Sequence, residues 1–204
     1  MKNAPIGAEE TLRNAWRTFQ PPLAPELGVP DEFGYFVQLA IATLARPSTL
    51  AQAKVRDIDV KRKVWLIQEG KSSPRLLPLS PLATTLFKDA IERRKNRKIV
   101  ALSWEANADE IFRGQSQMSA ANLSFLMTRR FAKVARQMSW PNHRLYDLRR
   151  SGYALMEEVG LSRNVMGHVL NLPDLHAAHL DDIETRRAAV IRWEELLMRV
   201  VESD

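Results

Sequence analysis

The chain has no cysteine, which excludes disulfide scaffolds, thiolate nucleophiles and thiolate metal sites. Tyrosine is scarce too: Tyr35, Tyr146 and Tyr153 are all there are in 204 residues. No apolar run is long enough to span a bilayer. Residues 1–10 are small, polar and acidic, without the pattern of a secretory signal. From these absences we expect a cytoplasmic protein with no membrane partner. There is also no internal repeat, low-complexity tract or evident interdomain linker.

Positive charge is present in excess. Thirty Lys and Arg stand against 24 Asp and Glu, a formal charge of +6. That balance suits a polyanion held through its phosphates, most simply nucleic acid. The length suits one domain with a proper core.

Residues 8–19 read as a short amphipathic helix and Pro21 to Pro30 as a loop. From Asp31 to Ala45 the spacing of Phe33, Phe36, Val37, Ala40, Ile41 and Leu44 predicts a helix with a broad buried face, Asp31 as its N-cap. It should stop at Arg46-Pro47, because the residue before proline is pushed out of the helical region. Ser48 to Lys54 can add one or two helical turns. Residues 55–80 alternate apolar and polar positions around Gly-Lys-Ser-Ser-Pro, which predicts a small antiparallel sheet with a hairpin near 69–74. Pro81 starts a further helix that ends in the run RRKNRK (93–98), which reads first as a solvated helix end. Later helices are expected at 119–137, 146–159, 162–169 and 185–201, the last with an apolar stripe through Trp193 and Leu197. The class is mainly α with a small antiparallel β-sheet.

Three segments carry a resemblance, and they come in order. The first is LAIATLARPSTLAQAKVRDID (39–59), the second VWLIQEGKSSPRLLPLS (64–80), the third YDLRRSGYALMEEVGLSRNVMGHVL (146–170). Together they resemble the signature boxes of the tyrosine recombinases, the phage integrase family. The resemblance implies the tyrosine-recombinase catalytic-domain fold over residues 31–204, with 1–30 as an N-terminal extension or linker. It puts Arg46 on the first catalytic arginine, Lys71 on the hairpin lysine, Tyr146 at a histidine position, Arg149 on the second arginine and His168 on the last histidine. It implies duplex DNA as partner and no metal or organic cofactor.

Such a set suits phosphodiester exchange. Negative charge collects on the non-bridging oxygens as phosphorus becomes five-coordinate, and two guanidinium groups can each meet it with paired N–H donors. Preorganised donors of this kind are usually the largest catalytic contribution. A lysine can protonate the departing oxygen, and a histidine can add a hydrogen bond to the phosphate. Each residue also has a plainer reading: Arg46 and Arg149 as helix-end cations, Lys71 as a solvated turn residue, His168 as a core histidine, Tyr146 as a half-buried aromatic at a helix start.

The sequence departs from the family's pattern where it matters most. The attacking tyrosine should stand some nine residues past the last histidine, and ungapped counting puts Ala177 there. Alanine cannot form a phosphotyrosine-type intermediate. His176 and His179 flank the position and read as loop residues. His143 lies three residues too early to replace the histidine at 146, and Thr49 stands where the family often has a carboxylate bracing the first arginine. The expectation is therefore an integrase-like DNA-binding protein that does not cleave DNA. Two alternatives stay open: an active integrase or resolvase disabled by a tyrosine-to-alanine change, and a recombinase fold kept as a regulatory or interaction module that self-associates through the helix at 185–201.

Overall fold

The computed structural model describes residues 7–68, 74–98, 109–112, 119–140, 143–170 and 183–203. The chain folds around one helix that is buried almost all the way round. This is α2 (Asp31–Thr43), in which every residue from Phe36 to Thr43 is buried. A helix this largely apolar over its last eight residues sits inside others. Here α4 (Pro81–Lys98), α6 (Leu145–Glu158), α8 (Ile183–Glu202) and α1 (Ala8–Thr18) pack on it. The one-turn α3 (Pro47–Leu50) follows it and leans on α5 (Ala120–Gln137), while α7 (Arg163–Leu170) lies on α8. Aromatic contacts bind these layers: Phe19 meets Phe33 edge-on at 5.3 Å and stacks on Phe131 at 5.4 Å. Among the described residues no helix is long and apolar enough to cross a membrane.

The sheet is small and antiparallel, as expected, in the order β1 (Ile58–Asp59), β2 (Val64–Ile67) and β3 (Arg75–Pro78). Its β2–β3 register pairs Trp65 with Leu77 and Ile67 with Arg75. Trp65 is buried against Phe87 of α4, the rings at 5.3 Å. The hairpin turn, and Lys71 within it, lie outside the described residues.

Local chemistry sets the helix ends. Ser119 caps α5 by accepting from the Asn122 N–H at 3.2 Å. At the start of α6 the contact runs the other way: Asp147, in the first turn, accepts through Oδ2 from the Arg144 N–H at 2.8 Å. The start of α4 is served from a distance: Glu194 of α8 accepts from the Leu82 N–H at 2.8 Å. At the other end of α8, Arg13 of α1 donates to the Val200 carbonyl at 2.8 Å and Arg17 to the Ser203 carbonyl at 2.7 Å. These cations sit where the helix dipole favours them.

Two expectations need correction. Asp31 is not the N-cap of α2; Pro30 is, and Asp31 is the first helical residue. The Asp31 carboxylate instead accepts from the Leu23 N–H at 2.8 Å and pairs with Arg93. The helix also ends before the proline signal, at Thr43, because Leu44 turns left-handed at φ 48° and ψ 24°. As for the last helix, its apolar stripe of Trp193, Leu196, Leu197, Val200 and Val201 is buried in the chain's own core. Self-association through that stripe would have to pull it out.

Gly152 lets α6 approach the Leu44 turn. A Cβ there would lie 2.6 Å from Leu44 Cδ2 and 3.2 Å from the Trp193 ring. Both of those side chains are fully buried, so neither can swing aside. Gly152→Ala should therefore destabilise the fold by about 1–3 kcal/mol, the usual cost of overpacking. Urea unfolding measures it; an unchanged midpoint would show that the α6–Leu44 contact has room to spare.

Candidate functional site

The end of α2 is built to present a carbonyl. Thr43 turns its hydroxyl back to donate to the Leu39 carbonyl at 2.6 Å and accepts from the Ala45 N–H at 3.2 Å. That closes the helix one residue before Leu44 takes its left-handed conformation. A non-glycine residue there costs on the order of 1–2 kcal/mol. The return is a carbonyl aimed into the core, and Arg149 donates to it through Nη1. Nη2 of the same arginine donates to the Leu170 carbonyl at 2.8 Å. Arg149 is thus held by the ends of two helices, α2 and α7, and is only 9% exposed.

Arg46 comes next along the chain from this turn. Pro47 holds it extended, at φ −63° and ψ 143°, and then serves as the first residue of α3, where its missing N–H costs nothing. The Arg46 side chain is exposed. Its neighbour Thr49 is buried at 6% exposure.

Arg46 and Arg149 meet in one pocket. Thr43, Ala45 and Thr49 form its helical wall, Leu170 closes it from α7, and Ile67, Arg75 and Leu77 line it from the sheet. Three arginines and two threonines are among the residues around a space of about 20 Å³, and no carboxylate residue lines it. That space admits one water-sized group, the size of a single non-bridging oxygen. A larger polar cavity of about 330 Å³ adjoins it through Thr49 and Ile67, lined also by Gln52, Lys54, Asp57, Gln68 and Glu110. Burial raises the Asp57 carboxyl above its ordinary range, against the opposing pull of Lys54 and Arg56.

The other residues singled out in the sequence stand apart from the pocket wall. His168 is buried on α7 at 6% exposure, two residues before Leu170, and does not line the pocket. Tyr146 is 43% exposed at the start of α6, with the Arg150 guanidinium 5.4 Å over its ring. His143 shares a hydrogen bond with Thr11 of α1 at 3.2 Å, which ties the first helix to the body. Lys71, His176, Ala177 and His179 lie outside the described residues. Arg75 was missed. Strand alternation carried the signal, since Arg75 and Leu77 share the face that looks inward while Leu76 between them is 43% exposed. Among the described residues no group of three His, Cys, Asp or Glu could hold a metal ion.

The two arginines should separate cleanly by stability. Arg149→Leu leaves the Leu44 and Leu170 carbonyls without these buried donors and should cost about 3 kcal/mol. Arg46→Gln, at an exposed position, should change stability by less than about 0.5 kcal/mol. Chemical denaturation of both variants checks this; equal losses would mean that Arg149 is no more structural than Arg46.

A search of curated proteins found no match. A family model described as the phage integrase family matches residues 32–170, from the second residue of α2 to the last residue of α7 and well over half of the chain. The mostly helical fold with its three-stranded antiparallel sheet agrees with the catalytic domain of that family. The chain belongs to the phage integrase family, the tyrosine recombinases, which ties it to DNA integration and site-specific recombination and makes DNA its implied partner.

Proposed function

We propose that this chain binds duplex DNA by closing Arg46 and Arg149 on a backbone phosphate, and that it does not cut the strand it holds. The observation that carries the binding half is the pocket: guanidinium groups gather around a space the size of one oxygen, with no carboxylate lining it. Like charges held together in this way favour an anion between them, and a phosphodiester offers two oxygens to planar, paired donors.

The roles combine the pocket with what membership of the family implies. Arg149, fixed by two carbonyls, is the preorganised donor, and Arg46 at the rim reaches the phosphate from the solvent side. By family likeness, and not by the pocket's lining, Lys71 takes the protonation of a departing 5′ oxygen and His168 a supporting hydrogen bond. Tyr146, in the histidine's place, offers a phenol hydroxyl where the family has an imidazole ring. Ala177 supplies no nucleophile. With the attacking group gone, the pocket would still bind the ground-state phosphate. The overall charge of +6 supports the same reading.

Binding should weaken steeply between low and physiological salt, as counterion release demands; anisotropy titration on a duplex measures it, and no binding at low salt would sink the proposal. A nicked suicide substrate should trap no covalent adduct. Ala177→Tyr alone should restore little cleavage, and Ala177→Tyr with Tyr146→His more, because catalytic groups that act as a unit do not add independently. Full cleavage from the single change would favour the alternative, an active recombinase disabled at that one position.

A further inference from the structure

We infer that Arg75 is a third phosphate-binding residue, gripping the same phosphate as Arg46 and Arg149 from the opposite wall of the pocket. This rests on the phosphate-binding reading above and adds a residue to it that the signature boxes do not assign.

The case starts with the sheet. β3 alternates, so Arg75 and Leu77 point to one face and Leu76 to the other. Leu77 is buried and Leu76 is exposed, which fixes the face of Arg75 as the inner one. Its cross-strand partner Ile67 lies on that face too and lines the same pocket. An arginine on the inner face of a three-stranded sheet is an unusual choice, since the neighbouring inward positions, Trp65, Ile67 and Leu77, are all apolar. Its side chain is half-buried, and it lines the same small pocket as Arg46 and Arg149. Three arginines lining one small space favour an anion within it.

The walls make the geometry distinctive. Arg46 and Arg149 belong to the helical body, one after α2 and one within α6, whereas Arg75 belongs to the hairpin. A phosphate held by all three joins the sheet to the helices through the ligand. Thr49 adds a hydroxyl to the same wall and no charge, so the attraction for an anion is undiminished there.

Three variants test this by affinity for a mixed-sequence duplex at fixed low salt: Arg46→Gln, Arg75→Gln and the double change. Loss of a charge-assisted contact should weaken binding about ten-fold or more in each single variant. Residues that share a ligand atom group should also couple, so the double variant should depart from the product of the singles. Normal binding by Arg75→Gln beside weakened Arg46→Gln would overturn the inference and leave the phosphate pocket standing. Normal binding by both would overturn the pocket itself. Simple multiplication of the two losses would place Arg75 on a different phosphate, and the inference would again be wrong. If Arg75→Gln fails to fold by circular dichroism, the wild-type chain decides. Phenylglyoxal labelling mapped by mass spectrometry should find Arg75 shielded by duplex DNA, and undiminished labelling there would refute the assignment.

Discussion

A guanidinium buried in a protein interior must be satisfied by the groups around it, and the centre of this structure is organised to satisfy Arg149. An ion moved out of water costs several kcal/mol unless hydrogen bonds replace its hydration. Here the replacements are two main-chain carbonyls, those of Leu44 and Leu170. One of them exists only because α2 ends in a left-handed leucine, and that leucine is accommodated only because α6 has glycine at 152. Trp193 closes the arrangement, donating its indole N–H to the Ile41 carbonyl at 3.1 Å beside the same turn. Remove the arginine and the strained turn loses its purpose.

This scaffold separates two duties that surface arginines usually combine. Arg149 is immobilised from behind, so little side-chain entropy remains to be lost when an anion arrives. Arg46 stays solvated on the rim and bears the cost of desolvation only on binding. A pocket with one fixed and one mobile donor can hold a phosphate oriented without being closed to its entry.

Much of the architecture was legible in the sequence because it rests on short-range signals. The broad apolar face of α2, the alternating strands, Pro81 at the start of α4 and the Trp193 stripe each announce themselves within a dozen residues. Arg46 and Arg149 could be picked out through their place in ordered boxes. What stayed hidden depends on partners far along the chain. Leucine is a poor candidate for a left-handed cap, so the end of α2 was read from Pro47 instead. Asp31 has the composition of a cap but answers to Leu23 and Arg93. Arg75 carries no mark of its own in the sequence, because the helical wall it faces is built from residues distant along the chain. The clasp of Arg13 and Arg17 on the end of α8 joins residues more than 180 positions apart, and no local pattern encodes it.

The bond between Arg149 and Leu44 spans 105 residues, and that span bears on the order in which the chain folds. Helices assemble within about a microsecond from contacts near in sequence, whereas closing so large a loop is entropically slow and must be repaid by contacts that form afterwards. The pocket draws its walls from the end of α2 and from α3, from Ile67, Arg75 and Leu77 of the sheet, and from Arg149 and Leu170, so it is complete only when that loop has closed. A partly folded chain can therefore have most of its helix and none of its grip. On the proposed reading of the pocket, DNA affinity followed during refolding lags helix content, because the pocket forms only with the native topology.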